Sequence, residues 1–425
     1  MPVTAVVGAN WGDEGKGKII DYLAENSNIV MRFQGGNNAG HTVINQFGKF
    51  ALHLIPCGVF YSHTLNLLGP GVGVNLESLK QELNELKNQG ISNPNVKISD
   101  RAQVVLPYHI ELDKLEEARL GDKKFGSTQT GMAPFYSDKY LKTGIQIGEL
   151  LDYRHLHTRL NHVIEQKNIL LKHLYSAPQI EAEPLIDQMH SLGCEMSEML
   201  VDSTTLLFEA NKKDQTILLE GQLGALRDPD HGIYPFSTSS STLSGYASVG
   251  AGLPPHSLTK VIATVKAYSS CVGAGPFTTE LLGSEGNELR EKGGDSGEYG
   301  ATTGRARRVG WFDAVATRYG CRVQGATEIA LTLLDVLGYL NEIPICTSYN
   351  YKSSKLKDFP RTSIVEKCHP IYENLPGWKS DISNIRLFSD LPIEAQNYVH
   401  YIEKEIEVPI KWISVGPKRE QIIRI

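Results

Sequence analysis

Short apolar runs rich in β-branched residues recur along the chain: Thr4 to Val7, Ile29 to Phe33, Thr216 to Leu219, Val261 to Val265, Ile329 to Leu333 and Ile343 to Cys346. Their hydrophobicity is near-continuous rather than alternating, the pattern of strands buried on both faces, and it predicts a parallel sheet. Helical patterns separate several of them. In the clearest, Leu76, Leu79, Leu83 and Leu86 share one face, with Asn75 placed as the N-cap and Gly90 as the glycine beyond the last turn. A second, long polar–apolar helix is predicted from Glu181 to Asn211. This alternation implies an α/β fold with a large central, mostly parallel sheet and helices on both faces. No Pro/Ser-rich linker divides the chain, so residues 1–425 are expected to form one domain with long loop insertions.

Composition narrows the function classes. The 425 residues carry 42 Lys+Arg against 48 Asp+Glu, a net charge of −6, which argues against nucleic acid or a membrane surface as a bulk partner. Six cysteines without a CxxC pair exclude a disulfide scaffold and a zinc ribbon, and suit a reducing cytoplasm. They read most simply as buried small hydrophobes, Cys368-His369 included. The N-terminal residues have no basic stretch leading into an apolar run, and no stretch approaches roughly 18 apolar residues. A cytoplasmic enzyme is the expectation. Glycine is unevenly placed: seven of the 40 lie in the first 40 residues, and seven more between Gly283 and Arg305. The second group, GSEGNELREKGGDSGEYGATTGR, reads as a functional lid loop.

The first group contains the chemistry. Gly12 to Lys18 has the G-x-x-x-x-G-K spacing of a phosphate loop, after a strand and before a helix expected to begin near Ile19. Glycines there let backbone N–H groups approach phosphate oxygens, and the helix N-terminus and Lys18 favour an anion. Ile19 replaces the usual Ser/Thr metal ligand, which leaves Asp13 as the candidate to hold Mg²⁺. After the next strand comes Gln34-Gly35-Gly36-Asn37-Asn38-Ala39-Gly40-His41-Thr42, in which His41 is a candidate general acid or donor to phosphate. Near the end of the glycine-rich stretch, Arg305, Arg307 and Arg308 place three cations in four residues, suited to carboxylate and phosphate.

WGDEGKGK, GGNNAGHT, DPDHGIYPFSTSSST, VGAGPFTTE and GATTGRARRVGWFD, in this order, resemble the adenylosuccinate synthetase family over almost the whole chain. The resemblance implies joining of IMP and L-aspartate with GTP and Mg²⁺, by a homodimer, to give adenylosuccinate, GDP and phosphate. It implies that Asp13 removes the N1 proton of IMP, O6 attacks the γ-phosphate to give 6-phosphoryl-IMP, and the aspartate amine displaces phosphate. His41 and Lys16 would support the transferring phosphoryl, and Asp13 with Gly40 would hold the metal. GTP would contact Gly12, Asp13, Glu14, Gly15, Lys16, Gly17, Lys18, Gly40, His41, Thr42 and Arg307. Its base would meet Leu333, Leu334 and Asp335 of a T-x-x-D element and Ser414, Val415 and Gly416. IMP would contact Asp13, Lys16, Asn38, His41, Thr128, Gln222, Thr238 and Arg305, and aspartate would contact Thr302, Thr303, Arg305 and Arg307. Asp228, Asp230 and His231, which could suggest a metal cluster, become loop structure near IMP.

Four departures from the family pattern stand out. Leu333 replaces a lysine in the guanine element. Glu220-Gly221-Gln222-Leu223-Gly224 replaces E-G-A-Q-G, displacing the glutamine by one residue, which would turn its side chain in a strand. Gly126-Ser127-Thr128-Gln129-Thr130-Gly131 lacks the arginine of G-T-T-G-R-G. The arginine that reaches the partner subunit's IMP is Thr143, with Lys142 beside it to supply charge but no bidentate fork. Two other readings exist. A GTP-binding switch protein would call for Ser/Thr after Lys18 and an N-K-x-D element. A related ATP-dependent ligase would need neither the T-T-G-R cluster nor Asp335.

Overall fold

The computed structural model describes residues 3–38, 40–294, 297–300 and 304–425. Its centre is a ten-stranded sheet in the spatial order Ile422–Arg424, Ile410–Ser414, Glu328–Thr332, Leu258–Lys266, Val3–Gly8, Ile217–Glu220, Ile29–Arg32, Leu65–Leu68, Val96–Ser99, Leu200–Val201. Every neighbouring pair is parallel except Ile410–Ser414 with Ile422–Arg424.

The near-continuous apolar runs divide residue by residue between two cores. Val3, Ala5, Val7, Ile29, Met31, Ile217, Leu219, Ala263 and Val265 enter one. Val6, Val30, Leu218 and Ile262 enter the other. Successive side chains of a strand point to opposite faces, so apolar residues at every position require cover on both. Among the described residues no helix is long and apolar enough to cross a membrane.

The helix Leu76–Asn88 forms as its periodicity predicts: Asn75 accepts from Ser78 N, and Gly90 takes φ +95°. Three expectations fail. The predicted helix from Glu181 to Asn211 is two helices, Ala182–Glu195 and Ser203–Lys212. Between them Leu200–Val201 joins the edge of the sheet, and Asp202 caps the second helix by accepting from Thr204 N and Thr205 N. The run from Ile343 to Cys346 lies outside the central sheet, in Glu342–Tyr351, which pairs parallel with Phe312–Asp313 but antiparallel with His369–Pro376 and Ser354–Leu356. Continuous hydrophobicity reports burial on both faces and not the direction of the partner strand. Gly283–Lys292, expected as loop, is a helix whose Leu289 is fully buried; its Glu, Leu, Arg and Lys are good helix formers that outweigh two glycines.

The parallel strands point their carboxyl ends to one edge, where open α/β sheets bind ligands. Ala9–Gly15, Gln34–Gly40, Gly221–Gly224, Ala267–Tyr268, Leu333–Asp335 and Val415–Pro417 all follow strands at that edge. Behind the first of them the helix Ala314–Gln324 packs so closely that a Cβ on Gly320 would lie 1.8 Å from the Ala9 carbonyl oxygen.

Candidate functional site

The loop after Val3–Gly8 turns through positive φ at Gly12 (+98°), Asp13 (+61°) and Gly15 (+82°), and the helix begins at Lys16, three residues before the expected start. Glu14 turns inward. Its Oε1 accepts from Asn10 N at 3.1 Å and Gly12 N at 2.9 Å, and its Oε2 meets Lys16 Nζ at 2.6 Å. Glu14, expected at the nucleotide, is therefore a brace inside the loop. The Asn10 amide donates to Thr317 Oγ1 at 2.9 Å, fixing the loop to the helix behind it. Asp13, by contrast, is left a third exposed, with Arg307 Nε 3.1 Å from its Oδ2.

His41 faces the loop from the start of the His41–Asn45 strand. Its Nδ1 lies 2.6 Å from Glu220 Oε1, and its buried Nε2 has no protein partner. Glu220 Oε2 accepts from Cys57 N at 2.8 Å, and Arg32 Nη1 lies 3.7 Å from Oε1. Burial disfavours the Glu220 charge, but His41 and Arg32 outweigh it and hold the carboxyl below its usual range. Burial lowers the His41 pKa against the pull of Glu220, and pushes the Cys57 thiol well above its usual value. Neutral His41 therefore donates from Nδ1 to Glu220 and turns Nε2 outward; Glu220 supports the imidazolium once an anion arrives. Among the described residues, His41, Cys57 and Glu220 are the one trio of ligand types close enough to share a metal. A protonated thiol and the neighbouring guanidinium make it a hydrogen-bonded relay instead.

Gln222 is buried beside this relay. Its Nε2 donates to Asn38 Oδ1 at 2.9 Å, its Oε1 accepts from Arg32, and its backbone oxygen accepts from Gln34 Nε2 at 2.8 Å. A Cβ on Gly35 would fall 1.4 Å from Gln222 Nε2, so this packing requires glycine. The adjacent Leu223, at φ +58°, turns the other way and lines the cavity over Gly12. Sequence position 223, and not 222, thus faces the loop.

After the helix Gly283–Lys292, described residues on the two sides of 301–303 pair with each other. Tyr299 and Ala306 form an antiparallel bridge, and Arg307 N donates to Glu298 O at 2.8 Å. Glu298 is its anchor: Lys266 Nζ lies 2.6 Å from Oε1, Arg307 Nη1 2.8 Å from Oε2, and Tyr268 OH donates to Oε1. Burial alone would raise the Glu298 pKa; Lys266 and Arg307 prevail and bring it to about 2. Arg308 is committed to Glu280, at 2.5 Å, and to the Gly275 carbonyl. Arg305 is exposed. Thr302 and Thr303 lie outside the described residues.

At the far end, Leu333 takes φ +60° and is followed by Asp335, whose buried Oδ1 has no protein partner. Burial raises the Asp335 pKa to about 6, against the nearby Lys18. Lys18 itself does not point at the loop. Its ammonium donates to Ser414 Oγ, Gly416 O and Gln421 O, contrary to the reading from the G-x-x-x-x-G-K spacing.

These groups surround one cavity of about 690 Å³. Of the sequence-predicted residues, Asp13, Gly15, Lys16, Gly17, Lys18, Gly40, His41, Thr42, Arg307, Leu333, Ser414 and Gly416 line it. Asn38, Gln222, Thr128, Thr238, Lys142, Leu334, Asp335 and Val415 do not. Thr128 Oγ1 lies 2.8 Å from Thr130 Oγ1 on the surface, and Thr238 N donates to Arg227 O. Lys142 is an exposed C-cap, and the Thr143 hydroxyl donates to Asp138 O. Asp228 accepts from Asp230 N, His231 N, Thr242 N and Ser241 Oγ, which is loop structure as expected. Glu220, Arg32, Glu298 and Lys266 went unread in the sequence; a lone charge ending an apolar strand was the available sign for Arg32, Glu220 and Lys266, and Glu298, in a polar glycine-rich stretch, gave none.

A family model described as adenylosuccinate synthetase matches residues 5–423. Among curated relatives, the adenylosuccinate synthetase of Dehalococcoides mccartyi (strain ATCC BAA-2266 / KCTC 15142 / 195) is 45% identical, with all of both chains covered. That of Streptococcus sanguinis is 43% identical, covering 99% of this chain and 97% of its own. The structure of fully ligated adenylosuccinate synthetase from Plasmodium falciparum matches with a TM-score of 0.93 at 36% identity over all of both chains. Cyanophage S-2L succinoaminodeoxyadenylate synthetase, at 17% identity and a TM-score of 0.61, shares the fold.

Proposed function

Because this chain belongs to the adenylosuccinate synthetase family, which joins IMP and L-aspartate with GTP on the route to AMP, we propose that the cavity beside Asp13 and His41 is where the ligation occurs. The observation that carries this reading is the convergence of a half-open carboxylate and an unpartnered buried imidazole nitrogen on one glycine-rich loop.

Asp13 takes the N1 proton of IMP, and the electron pair moves to O6, which attacks the γ-phosphate of GTP to form 6-phosphoryl-IMP. His41 meets the phosphate from Nε2, its imidazolium stabilised through Nδ1 by Glu220. Lys16 spends one donor on Glu14 and turns the remainder to the phosphoryl group. Arg307, held by Glu298, moves from Asp13 to the arriving anions, GTP and aspartate, alongside Arg305, Thr302 and Thr303. The paired stretch above them excludes water from the phosphorylated intermediate. The aspartate amine then displaces phosphate.

The donor set suits Mg²⁺: a carboxylate at Asp13 faces the cavity that Gly40 also lines, and both offer hard oxygens. When bound, the ion neutralises charge on the phosphates. IMP extends from Asp13 towards Asn38, which Gln222 braces from behind, and towards Thr128 and Thr238. The working form is a cytoplasmic homodimer in which Lys142 faces the partner's IMP. The exposed side chains of Tyr140, Leu141 and Val249 support a covered face, and Tyr140 lies near Tyr246. Sedimentation of the purified chain is expected to give twice the monomer mass; a monomer under turnover conditions would refute that part.

The reading is tested by mixing purified protein with IMP, aspartate, GTP and Mg²⁺ and following adenylosuccinate absorbance. Product is expected, with loss on adding EDTA and recovery on restoring Mg²⁺. GTP turnover without adenylosuccinate would instead favour a GTP-binding protein lacking ligase chemistry.

A further inference from the structure

A lysine ammonium has three N–H donors. Lys18 uses three on protein: Ser414 Oγ at 2.8 Å, Gly416 O at 2.6 Å and Gln421 O at 2.9 Å. It is 9% exposed, so a lost contact has little water to replace it. The motif lysine that ordinarily holds phosphate therefore has no donor left for one. Lys16, two residues earlier and on another face of the helix, keeps that capacity.

We propose that Lys18 is a positioning residue for the guanine base. It ties the helix that starts in the phosphate loop to the turn between Ile410–Ser414 and Ile422–Arg424. The inference rests on placing guanine at Asp335 and Ser414–Gly416, which the family resemblance implies and the unpartnered, buried Asp335 Oδ1 at the far end of the site supports. That turn is built around the ammonium. Val415 N donates to Gln421 O at 3.0 Å, Ser414 Oγ to Gly416 O at 3.1 Å, and Lys418 N to Gln421 Oε1 at 2.8 Å. A Cβ on Gly416 would lie 2.5 Å from the Gln421 amide, so the turn closes on itself and aims two carbonyls at Nζ. Removing the ammonium leaves Gln421 O with Val415 N and Gly416 O with Ser414 Oγ, but it cuts the tie between the turn and the helix and loosens the edge that the base lies against. Burial brings Lys18 down to about 7 against the pull of Asp335; the charge it carries in turn favours the ionised carboxylate that accepts from guanine N1–H and N2–H₂. The phosphate loop and the base subsite are thus set at a fixed separation by one side chain. That separation matters because the γ-phosphate is placed from the base end of the nucleotide.

Calorimetric titration of the full chain with guanosine, GTP and ITP separates base from phosphate. Lys18→Met is expected to weaken guanosine and GTP by the same factor, about tenfold or more, consistent with buried charge-assisted hydrogen bonds. It should also narrow the preference for GTP over ITP, which lacks the 2-amino group. Weaker GTP with unchanged guanosine would mean that Lys18 serves phosphate, and the proposal would be wrong. Asp335→Asn checks the subsite. If that variant loses guanosine and Lys18→Met does not, the subsite stands and the positioning role is overturned. If neither loses guanosine, the placement of the base fails and takes the proposal with it. Should Lys18→Met fail to fold, Ser414→Ala, which removes one of the three acceptors, is expected to give a smaller but equal loss for both ligands; wild-type affinities for both would overturn the proposal.

Discussion

Asp13→Asn is expected to abolish adenylosuccinate formation while leaving nucleotide binding in place. A general base contributes on the order of 10²–10⁴-fold, and the neighbouring carboxylate cannot take over: Glu14 is turned inward on Asn10 N, Gly12 N and Lys16. Asparagine suits the site in every other respect. It matches aspartate in size, and it is among the few residues that tolerate the positive φ, +61°, that this position adopts. The loop backbone should therefore persist, and with it the N–H groups that meet phosphate. The substitution also removes the anion that faces Arg307 Nε at 3.1 Å. Adenylosuccinate absorbance gives the rate, and equilibrium titration with GTP gives the binding. Near-normal turnover would show that another group takes the proton; loss of GTP binding would show that Asp13 holds the loop together.

The second large effect concerns stability. Glu298→Gln is expected to destabilise the protein by roughly 3–5 kcal/mol at pH 7, the range for breaking a buried ion pair from one side. Lys266, a buried ammonium, would keep its hydrogen bond to Ser270 Oγ, at 2.6 Å, and a neutral amide oxygen, with no counter-charge. Arg307 would lose its anchor. The pH dependence has a definite sign. The Glu298 carboxyl is depressed to about 2 from a usual 4.5, so its stabilisation is complete above about pH 4.5 and is lost as pH falls towards 2. Urea unfolding of wild type and variant at pH 7 and pH 3 should give a gap that narrows at the lower pH. A gap that stays constant would place the cost in packing and not in charge.

The contrast between these two carboxylates explains how much the sequence reveals. Asp13, Lys16 and His41 lie within short glycine-rich stretches whose spacing has a local physical meaning, so their meeting at one cavity is legible from the chain. Glu220 and His41 are 179 positions apart, and Lys266 and Glu298 are 32 apart. No local pattern joins such pairs; strand order does. The parallel sheet was legible because residues such as Val6 and Val7 must both be buried, on opposite faces. The helix Gly283–Lys292 was hidden by glycines that also signal loops, and the strand at Ile343 by a pattern blind to partner direction. Lys18 is the sharpest case: the spacing identifies the motif, yet the destination of its ammonium depends on a turn nearly 400 residues later.

The common edge from which the site loops emerge has a practical side. Connections at the opposite rim of the sheet carry none of the chemistry. The turn Lys213–Asp214, between the helix Ser203–Lys212 and the strand Ile217–Glu220, is exposed there. A fluorescent or affinity module inserted at that turn would report on the chain from behind, leaving the catalytic rim open to its substrates.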